Sequence, residues 1–410
     1  MRIGLSTSVM QRGHSGVGQY VLALVRALLV EADRHEFTLF VLEQDLPLFA
    51  FTAGAMNLVS VPERFRPPVR NVLWHQFHLP RLARRHQLDV LHVPSYRRLL
   101  WQRPCPLIAT IHDLAPFRVP GKYNLPRMLY GRLVVPRLAR RQDQIIAVSQ
   151  FTAGDIDTFF GIPRGRLRVI HNGMDRERFH PGQRAAAKAD LARSRDLHRP
   201  FFLYVARLEH PAKNHARLVA AFNGFKSESG LPWQLVLAGS DWNGAEVVHR
   251  LIRESPFARD IHTLGFVSEE ELPTLYRAAD LFVFPSLFEG FGMPPVEAMA
   301  CGCPVLSSRR GALAEVVGDA AASFDPESVT DLRRQMTRLA VNLPARNDLR
   351  AKGLARAAQF DWHSTAASTL EVYASAAAGS RRRLPIQTRA PEPLSWIPED
   401  ATLRPPPDRA

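Results

Sequence analysis

The feature that most constrains the fold of this chain is an alternation of short β-rich runs with helical patterns, which occurs twice. Six such runs fall within residues 2–148, and six more fall within residues 201–324. They are Arg2–Ser6, Phe37–Leu42, Asn57–Val61, Asp89–Val93, Leu107–Ile111 and Gln144–Val148, then Phe201–Ala206, Gln234–Ala238, Ile261–Leu264, Leu281–Phe284, Pro304–Ser307 and Ala321–Phe324. Strands that alternate with helices form parallel sheets covered on both faces. The sequence therefore predicts an α/β protein with two doubly wound lobes.

The composition changes between and after the two series. Phe179–Pro200 is rich in Arg, Ala and Asp without a strand pattern, which favours a helical or loose linker. From Ser380 the chain contains Arg381–Arg383 and scattered prolines without periodicity, which is typical of disorder. We expect a first lobe over 1–178, a linker over 179–200, a second lobe over 201–360, a C-terminal helix over 361–379 that returns to the first lobe, and a disordered tail over 380–410.

Positive charge is concentrated in the first half of the chain. Residues 1–200 contain 30 Lys and Arg against 15 Asp and Glu, whereas residues 201–360 contain 17 against 18 and residues 361–410 contain 6 against 6. Such asymmetry indicates an anionic partner, either nucleic acid or the cytoplasmic leaflet of a membrane. The alternative is a general preference for arginine, since only five of the 53 basic residues are lysines.

Cysteines and apolar stretches exclude other classes of protein. Cys301 and Cys303 have no second Cys or His pair, and the remaining Cys105 makes the number odd, which argues against a disulfide framework or a structural zinc site. Tyr20–Val30 is too short to span a bilayer, and Met1–Leu5 lacks the apolar core of a signal peptide. We therefore expect a cytoplasmic protein without transmembrane helices.

A glycine-bearing loop joins a buried strand to a helix near residue 290. The strand ends at Phe284, and Pro294–Pro295 suit the first turn of a helix. The unpaired N–H groups and positive dipole of a helix N-terminus at this sheet edge suit a phosphate or a developing oxyanion. Glu289 before the helix and Glu297 in its first turn then provide carboxylates for the hydroxyls of a nucleotide sugar. The alternative is that Glu297 only complements the helix dipole and Glu289 is a solvated loop residue.

This segment resembles the Glu-x7-Glu signature of the retaining glycosyltransferases of the GT-B fold, family 4. Further motifs occur in the order of that family: Gly16–Tyr20, Ile111–Leu114, Ala147–Ser149, His171–Asp175, Ala206–Leu208 with Lys213–Asn214, and Leu264–Val267 with Tyr276–Asp280. Together the motifs extend over residues 1 to about 310. The resemblance implies two Rossmann-like lobes that face a central cleft, with the donor on the second lobe and the acceptor on the first.

The resemblance also implies roles for individual residues. Arg207 and Lys213 would pair with the donor diphosphate, since fixed cations stabilise the charge that develops on it and so replace a metal ion. His112 would contact and orient the transferred sugar rather than act as a proton-transfer base. The implied catalytic residues are His112, Arg207, Lys213 and Glu289, and the implied donor-binding residues are Gly16, Gly18, Arg207, Lys213, Phe266, Val267, Glu289, Phe291, Gly292, Met293, Pro294 and Glu297.

Three local patterns bear on this interpretation, and the first of them departs from the pattern of the family. Glu209–His210 replace the small residues that the family commonly has near the diphosphate clamp. Asp155-Ile156-Asp157 spells the Asp-x-Asp pattern of metal-dependent glycosyltransferases, but it follows Ser149 in a segment that begins like a capped helix. The glycines at 13, 16 and 18 lack the spacing of a dinucleotide-binding loop, which disfavours NAD. We predict neither a metal ion nor another cofactor.

The function that we expect is transfer of a hexose, with retention, from a nucleotide diphosphate sugar to a glycan acceptor. Resemblance to bacterial mannosyltransferases of polysaccharide assembly favours GDP-mannose, with a UDP-hexose second, and an exopolysaccharide or O-antigen as the product. A GT-B-like epimerase or phosphorylase is the alternative among enzymes. A basic nucleic-acid-binding protein is the alternative from another class, but the sequence lacks a recognisable reader motif.

Two stretches in the basic half mix arginines with large apolar residues at helical spacing. They are Val69–Leu79 with Arg81–Arg85, and Arg127–Arg141. Such helices either lie in a membrane interface or pack their apolar face on the sheet and leave the arginines in solvent. Because the implied acceptor is a polyprenyl-diphosphate-linked glycan bound by this lobe, we expect a peripheral enzyme at the inner face of the plasma membrane and no nucleic-acid partner.

Overall fold

A computed structural model describes residues 1–13, 15–119 and 125–381 of the chain. The strands are β1 Arg2–Ser6, β2 Glu36–Leu42, β3 Asn57–Val61, β4 Val90–Val93, β5 Leu107–Ile111, β6 Gln144–Ala147, β7 Leu167–Val169, β8 Phe201–Val205, β9 Gln234–Ala238, β10 Ile261–Gly265, β11 Leu281–Phe284, β12 Val305–Ser308 and β13 Ala322–Phe324. The helices are α1 Gly16–Leu28, α2 Pro68–Phe77, α3 Leu79–Arg85, α4 Ala115–Arg118, α5 Leu125–Leu129, α6 Val135–Ala139, α7 Gln150–Phe160, α8 Arg184–Arg195, α9 His215–Ser229, α10 Ala245–Arg253, α11 Leu272–Ala278, α12 Met293–Ala300, α13 Leu313–Val317, α14 Val329–Val341, α15 Leu343–Ala357 and α16 Trp362–Arg381. The predicted tail lies outside the described residues from residue 382 onward.

The strands form two parallel sheets. The first has the order β3-β2-β1-β4-β5-β6-β7 and the second has the order β10-β9-β8-β11-β12-β13. All neighbouring strands in both sheets pair in parallel. The carboxyl ends of the strands therefore lie at one edge of each sheet, and loops from these two edges meet between the lobes. The predicted fold class, two doubly wound lobes around a cleft, is confirmed.

The strand predictions agree with the structure to within one residue at each end, with one omission. β7 was not predicted, because Leu167–Val169 is a three-residue strand with an arginine at its centre and is too short for a periodic signal. The interior strands were the easiest to find. β5 and β11 are buried along their whole length, because helices cover both faces of a parallel sheet, and they are apolar almost throughout.

The last helix, α16, joins the core of the first lobe. Ala366, Val372 and Tyr373 pack with Ile3, Val21 and other residues of β1 and α1. The buried hydroxyl of Tyr373 lies 2.7 Å from Nδ1 of His92 on β4. The chain thus crosses twice between the lobes, and α16 covers the first sheet after the second lobe is complete. No helix among the described residues is both long enough and apolar enough to cross a membrane.

Buried histidines should make folding sensitive to acid. Burial lowers the pKa of His75 and of His92 to about 3. These folded-state pKa values lie below the ordinary value near 6.5, so the unfolded chain takes up protons first as the pH falls. The stability that each neutral histidine contributes is therefore complete above about pH 6.5 and is lost as the pH falls toward the folded-state pKa. We expect the free energy of unfolding to fall between about pH 6.5 and pH 4, by about 1.4 kcal/mol per pH unit for each such histidine at full uptake.

Urea denaturation at several pH values measures this dependence. His92→Gln should reduce the pH dependence, whereas the exposed His363→Gln should leave it unchanged. Equal pH dependence in wild type and His92→Gln would contradict the assignment of His92 as a buried neutral residue.

Candidate active site

Lys213 and Glu289 meet where the strand order of the second sheet reverses. Lys213 follows β8 and Glu289 follows β11, and these strands are neighbours at the reversal, where open α/β sheets bind their ligands. The Lys213 ammonium lies 2.6 Å from Oε1 of Glu289, and each side chain keeps about a sixth of its surface exposed, at 16% and 17%. Two of the predicted catalytic residues, 76 positions apart in sequence, are thus in contact.

The backbone around Lys213 is held from several directions. Asn214, which has a positive φ of 60°, donates its side-chain amide to the carbonyls of Pro285 at 2.9 Å and Pro326 at 2.8 Å. The hydroxyl of Tyr204 on β8 donates to the carbonyl of Lys213 at 2.8 Å. The departure at Glu209–His210 therefore leaves the lysine on a loop with a defined position.

Arg207 lies on the wall of a neighbouring cavity. The cavity has a volume of about 440 Å³ and is lined by Val205, Ala206, Arg207, Ala238, Gly239, Ser240, Phe266, Val267 and Leu272. The Arg207 guanidinium stacks over the ring of Trp242, 4.4 Å from its centre. Phe266 is 63% exposed at this wall. The structure brings together three of the predicted residues here, namely Arg207, Phe266 and Val267.

Trp242 was not among the residues predicted from the sequence. A signal for it was present, because an aromatic residue in Asp241-Trp242-Asn243-Gly244 follows shortly after the buried strand β9. Polar and aromatic residues just past the carboxyl end of such a strand are candidates for a ligand site.

The predicted position of Glu297 in its helix was wrong. α12 begins at Met293, so Glu297 lies in its second turn, and the first turn of the helix has no acidic residue. Its Oε2 accepts a hydrogen bond of 2.8 Å from the hydroxyl of Tyr276 on α11, instead of complementing the helix N-terminus. Burial raises the pKa of Glu297 above its ordinary value. The predicted pair of carboxylates is thus divided between two partners, Lys213 for Glu289 and Tyr276 for Glu297.

The residues between the two glutamates differ in exposure. Gly292 precedes α12 with a φ of 101°, which favours glycine, while Met293 and Pro294 at the helix start are half-buried. Phe291 is 5% exposed and packs against the rings of His171 and Phe360, at 5.8 and 5.5 Å. The side chain of Phe291 therefore packs in the interior instead of lining the site.

Gly290 of the second lobe lies directly against the first lobe. A Cβ atom at this position would lie 1.7 Å from the carbonyl oxygen of His112 in the first lobe. The carbonyl of Gly290 itself accepts hydrogen bonds from the hydroxyls of Ser149, at 2.7 Å, and Thr152, at 3.2 Å. The residue next to Glu289 is thus in direct contact with the loops that follow β5 and β6.

His112 is neutral in this environment. Burial lowers its pKa to about 4, and its ring packs edge-on against Tyr20, with the centres 4.6 Å apart. Its Nε2 is buried and has no hydrogen-bond partner among the described residues. A neutral imidazole with an unused nitrogen can donate or accept a hydrogen bond but adds no charge to the site.

The glycines of the first loop belong to the start of α1. The Ser15 hydroxyl caps this helix by accepting from the N–H of Gly18 at 3.0 Å, and a Cβ on Gly18 would lie 2.5 Å from the carbonyl oxygen of Met10. No described atom lies within 4 Å of the Cβ position of Gly16, so the backbone there is open to a ligand. No contact among the described residues joins either glycine to Lys213 or Glu289.

The Asp-x-Asp pattern lies in a helix, as predicted. Ser149 caps α7 by accepting from the N–H of Thr152. Asp155 in this helix is buried and pairs with Arg118, with 2.6 Å between Nη2 and Oδ1. Asp157 is exposed. The carboxylate of Asp155 is thus part of an ion pair that ties α7 to α4.

Comparisons with known proteins bear on the family and the fold of the chain. The family described as "Glycosyl transferases group 1" matches residues 190–356, and "Glycosyltransferase Family 4" matches residues 14–178. Among solved structures, the Anabaena protein Alr3699/HepE, crystallised with UDP and glucose, has a TM-score of 0.72 over 91% of this chain and 99% of its own, at 19% identity. WaaG, a glycosyltransferase involved in lipopolysaccharide biosynthesis, has a TM-score of 0.68, at 14% identity, over 91% of this chain and 99% of its own. At such identities these structures support the fold alone.

Similar curated proteins include mannosyltransferases. The "O-antigen chain mannosyltransferase B" of Escherichia coli is 27% identical over 91% of this chain and 99% of its own length. The "MMP alpha-(1->4)-mannosyltransferase" of Mycolicibacterium hassiacum is 33% identical over 67% of this chain and 66% of its own length. The family resemblance found in the sequence is therefore confirmed, and the chain belongs to the group 1 glycosyltransferases, with the two-lobed GT-B fold.

Proposed function

We propose that this glycosyltransferase moves a mannosyl group, with retention, from a nucleoside diphosphate sugar to a glycan acceptor. The observation that carries the proposal is the partly buried Lys213–Glu289 pair at the reversal of the second sheet, together with the cavity that Arg207 lines at the same edge of that sheet. A diphosphate bound there would be close to two cations, and Glu289 would offer an acceptor oxygen to a sugar hydroxyl.

Each proposed role follows from the chemistry of the transfer. The bond between the anomeric carbon and the diphosphate breaks, a bond from that carbon to the acceptor oxygen forms, and the proton of the acceptor hydroxyl passes to the leaving diphosphate. Lys213 and Arg207 would stabilise the charge that develops on the leaving group. The neutral imidazole of His112 and the carboxylate of Glu289 would orient the sugar. Glu297, which has one oxygen bonded to Tyr276, would bind a hydroxyl of the donor with its other oxygen. These residues would supply by themselves the charge that a metal ion supplies elsewhere.

The identity of the sugar and the acceptor is proposed from the relatives. Similarity to an O-antigen chain mannosyltransferase along 99% of that protein supports mannose as the sugar and a cell-surface polysaccharide as the product. GDP-mannose is the proposed donor, and a UDP-hexose is the second candidate, because a neighbouring fold was crystallised with UDP and glucose. The proposed acceptor is a polyprenyl-diphosphate-linked oligosaccharide.

A nucleotide panel tests the donor. We expect GDP to raise the melting temperature more than UDP, ADP or dTDP, because a ligand that binds only the folded state at 100 times its Kd adds roughly 2.7 kcal/mol of stability. Incubation with GDP-mannose and an acceptor should give a mannoside with the anomeric configuration of the donor, in the presence of excess EDTA.

Three results would count against these assignments. A larger shift with UDP would replace the donor. Loss of activity in EDTA that Mg²⁺ or Mn²⁺ restores would make the enzyme metal-dependent, and turnover of the sugar nucleotide without acceptor would instead indicate an epimerase or phosphorylase.

An exposed apolar surface on the first lobe supports a peripheral membrane location. Six large apolar side chains, each between 48% and 73% exposed, form what we call the apolar strip. They are Val69, Leu73 and Phe77 on α2, Trp101, and Leu129 and Leu133 on the segment after Leu125. Trp101 is joined to α2 by a hydrogen bond from its N–H to Gln76 at 2.9 Å. Arg141 stacks over the Trp101 ring at 4.5 Å.

Exposed arginines lie on, or next in sequence to, the segments that carry the apolar strip. They include Arg70, Arg81, Arg84, Arg85, Arg132 and Arg137. Apolar side chains that insert between lipid headgroups, with cations around them, match an anionic bilayer. The sequence left open which face of these helices is exposed, and the structure shows that α2 presents apolar residues to solvent.

Liposome co-sedimentation measures membrane binding. We expect binding to vesicles with anionic lipid, weaker binding at higher salt, and a loss of about 10²-fold in affinity when Arg81, Arg84 and Arg85 become Gln, at about 1 kcal/mol for each arginine. The matched control replaces three exposed arginines of the second lobe, Arg250, Arg253 and Arg259, by Gln. Equal binding to neutral vesicles, or no binding to either kind, would contradict a peripheral location.

A further inference from the structure

Hydrogen bonds between the lobes converge on the first turn of α7. The hydroxyls of Ser149 and Thr152 both donate to the carbonyl of Gly290. The N–H groups of Gln150 and Phe151 donate to the carboxylate of Glu315, at 2.9 and 3.2 Å. We call this set the α7 latch: Ser149, Gln150, Phe151 and Thr152 of the first lobe, with Gly290 and Glu315 of the second.

The latch satisfies groups that a helix N-terminus otherwise leaves to water. The first N–H groups of a helix have no partner within the helix. In α7, Ser149 caps the N–H of Thr152, and the two preceding N–H groups bond to Glu315 of the other lobe. Because Glu315 is also 2.7 Å from Nε2 of His171, a single carboxylate holds three first-lobe donors. These bonds exist only while the lobes are together.

The latch acts on the loop that carries Glu289. A carbonyl oxygen has two lone pairs, and Ser149 and Thr152 use both at Gly290. The preceding carbonyl, that of Glu289, accepts from the N–H of Ala312 at 3.4 Å, next to α13 where Glu315 lies. The peptide group between Gly290 and Phe291 is thus held from the first lobe, while the preceding one, between Glu289 and Gly290, is held within the second lobe by Ala312. Glu315, on the helix that follows Ala312, bonds to α7.

We propose that Ser149 and Thr152 are positioning residues, whose hydroxyls set the orientation of the Glu289–Gly290 segment when the lobes close and so align Glu289 with Lys213. Glu315 holds α7 in the position from which the hydroxyls reach Gly290. Ser149 and Thr152 are 0% and 1% exposed, so the hydroxyls face the other lobe and not solvent. This inference rests on the proposed role of Glu289 in binding the sugar.

The test is removal of one hydroxyl without a change of shape. Thr152→Val keeps the branched side chain and the helix cap, and should lower kcat about tenfold, the effect of one buried hydrogen bond. The affinity for GDP or UDP should change less than twofold, because the lining of the nucleotide cavity does not include α7. Thr152→Ser, which keeps a hydroxyl, should restore kcat, and Thr158→Val on the exposed face of the same helix should have no effect.

A second measurement does not depend on catalysis. With saturating GDP or UDP, small-angle X-ray scattering should give a larger radius of gyration for Thr152→Val combined with Glu315→Gln than for wild type or for Thr158→Val. If wild type transferred no sugar, the proposed function would fail, while this scattering result would still decide the latch.

Two outcomes would overturn the latch. The first is a Thr152→Val enzyme with kcat within twofold of wild type and an unchanged radius of gyration in the double variant. The second is a fall in kcat that Thr152→Ser does not restore, accompanied by a fall in nucleotide affinity by the same factor. That pattern indicates general damage to the fold.

Discussion

Lys213→Ala is expected to lower kcat/KM for sugar transfer by about 10²–10³-fold while the protein stays folded, the usual cost of removing one group that stabilises charge in a transition state. The Lys213 ammonium is 2.6 Å from Glu289 and the lysine side chain is only 16% exposed, so a cation from solvent would not easily take its place. Glu297→Ala should have an effect of the same order, because it removes the carboxylate that would bind the donor hydroxyl and that accepts the hydrogen bond from Tyr276. Steady-state kinetics with a varied donor measures both effects.

The loss in Lys213→Ala has a second possible source, because the substitution leaves the Glu289 carboxylate without its cation. Lys213→Ala combined with Glu289→Gln separates the two. If the lysine only neutralised Glu289, the double variant would regain activity, and we expect that it does not. Lys188→Ala is the matched control, since Lys188 pairs with Asp280 at 3.0 Å at a distance from the cleft. Near wild-type turnover in Lys213→Ala would remove this residue from the catalytic site.

Gly290→Ala is expected to lower kcat by about 10²-fold or more, because a displacement of about 1 Å at a reacting group costs that much. The new Cβ would lie 1.7 Å from the carbonyl oxygen and 2.7 Å from the carbonyl carbon of His112, both of which belong to the backbone and cannot rotate away. The lobes would have to separate to accept a methyl group, and His112 and Glu289 would move apart together.

Kinetics and small-angle scattering test this effect in parallel. Gly290→Ala should give a larger radius of gyration in the presence of nucleotide together with the lower kcat. Gly154→Ala is the control, because this glycine lies inside α7 and, apart from its own helix, no atom of the described residues lies within 4 Å of its Cβ position. Alanine there should raise stability by about 0.5–1 kcal/mol. Wild-type turnover by Gly290→Ala would show that catalysis does not require the contact between Gly290 and the backbone of His112.

The sequence was a good guide to the elements that have a strong local signal. β5, β9 and β11 begin and end where their apolar runs do, since a parallel strand covered on both faces needs apolar residues at nearly every position. The capped start of α7 was found from Ser149, because a cap involves residues only three positions apart. Lys213 and Glu289 were found as separate motifs, each at the carboxyl end of a strand.

The face of a helix that is buried was not predictable in the same way. α2 carries large apolar or aromatic residues on two sides: Val69, Leu73 and Phe77 are exposed, while Trp74 is 2% exposed and packs against Phe40. Its buried His75 bonds to Ser6 at 3.0 Å. The pattern alone does not choose between the sides, because burial depends on which surface of the first sheet the helix meets.

The sequence by itself determined the two series of parallel strands and the loops at their carboxyl ends, because these follow from the periodicity and capping of neighbouring residues. The residues expected to act in those loops were identified from the resemblance of their motifs to the family. The tertiary structure alone decided which distant residues meet. Glu297 bonds to Tyr276 instead of to a helix N-terminus, Gly290 lies against His112, and Glu315 reaches α7. The first of these contacts depends on how two helices of the second lobe pack, and the other two depend on the packing of one lobe against the other. No local pattern in the chain records which residues so separated in sequence come into contact.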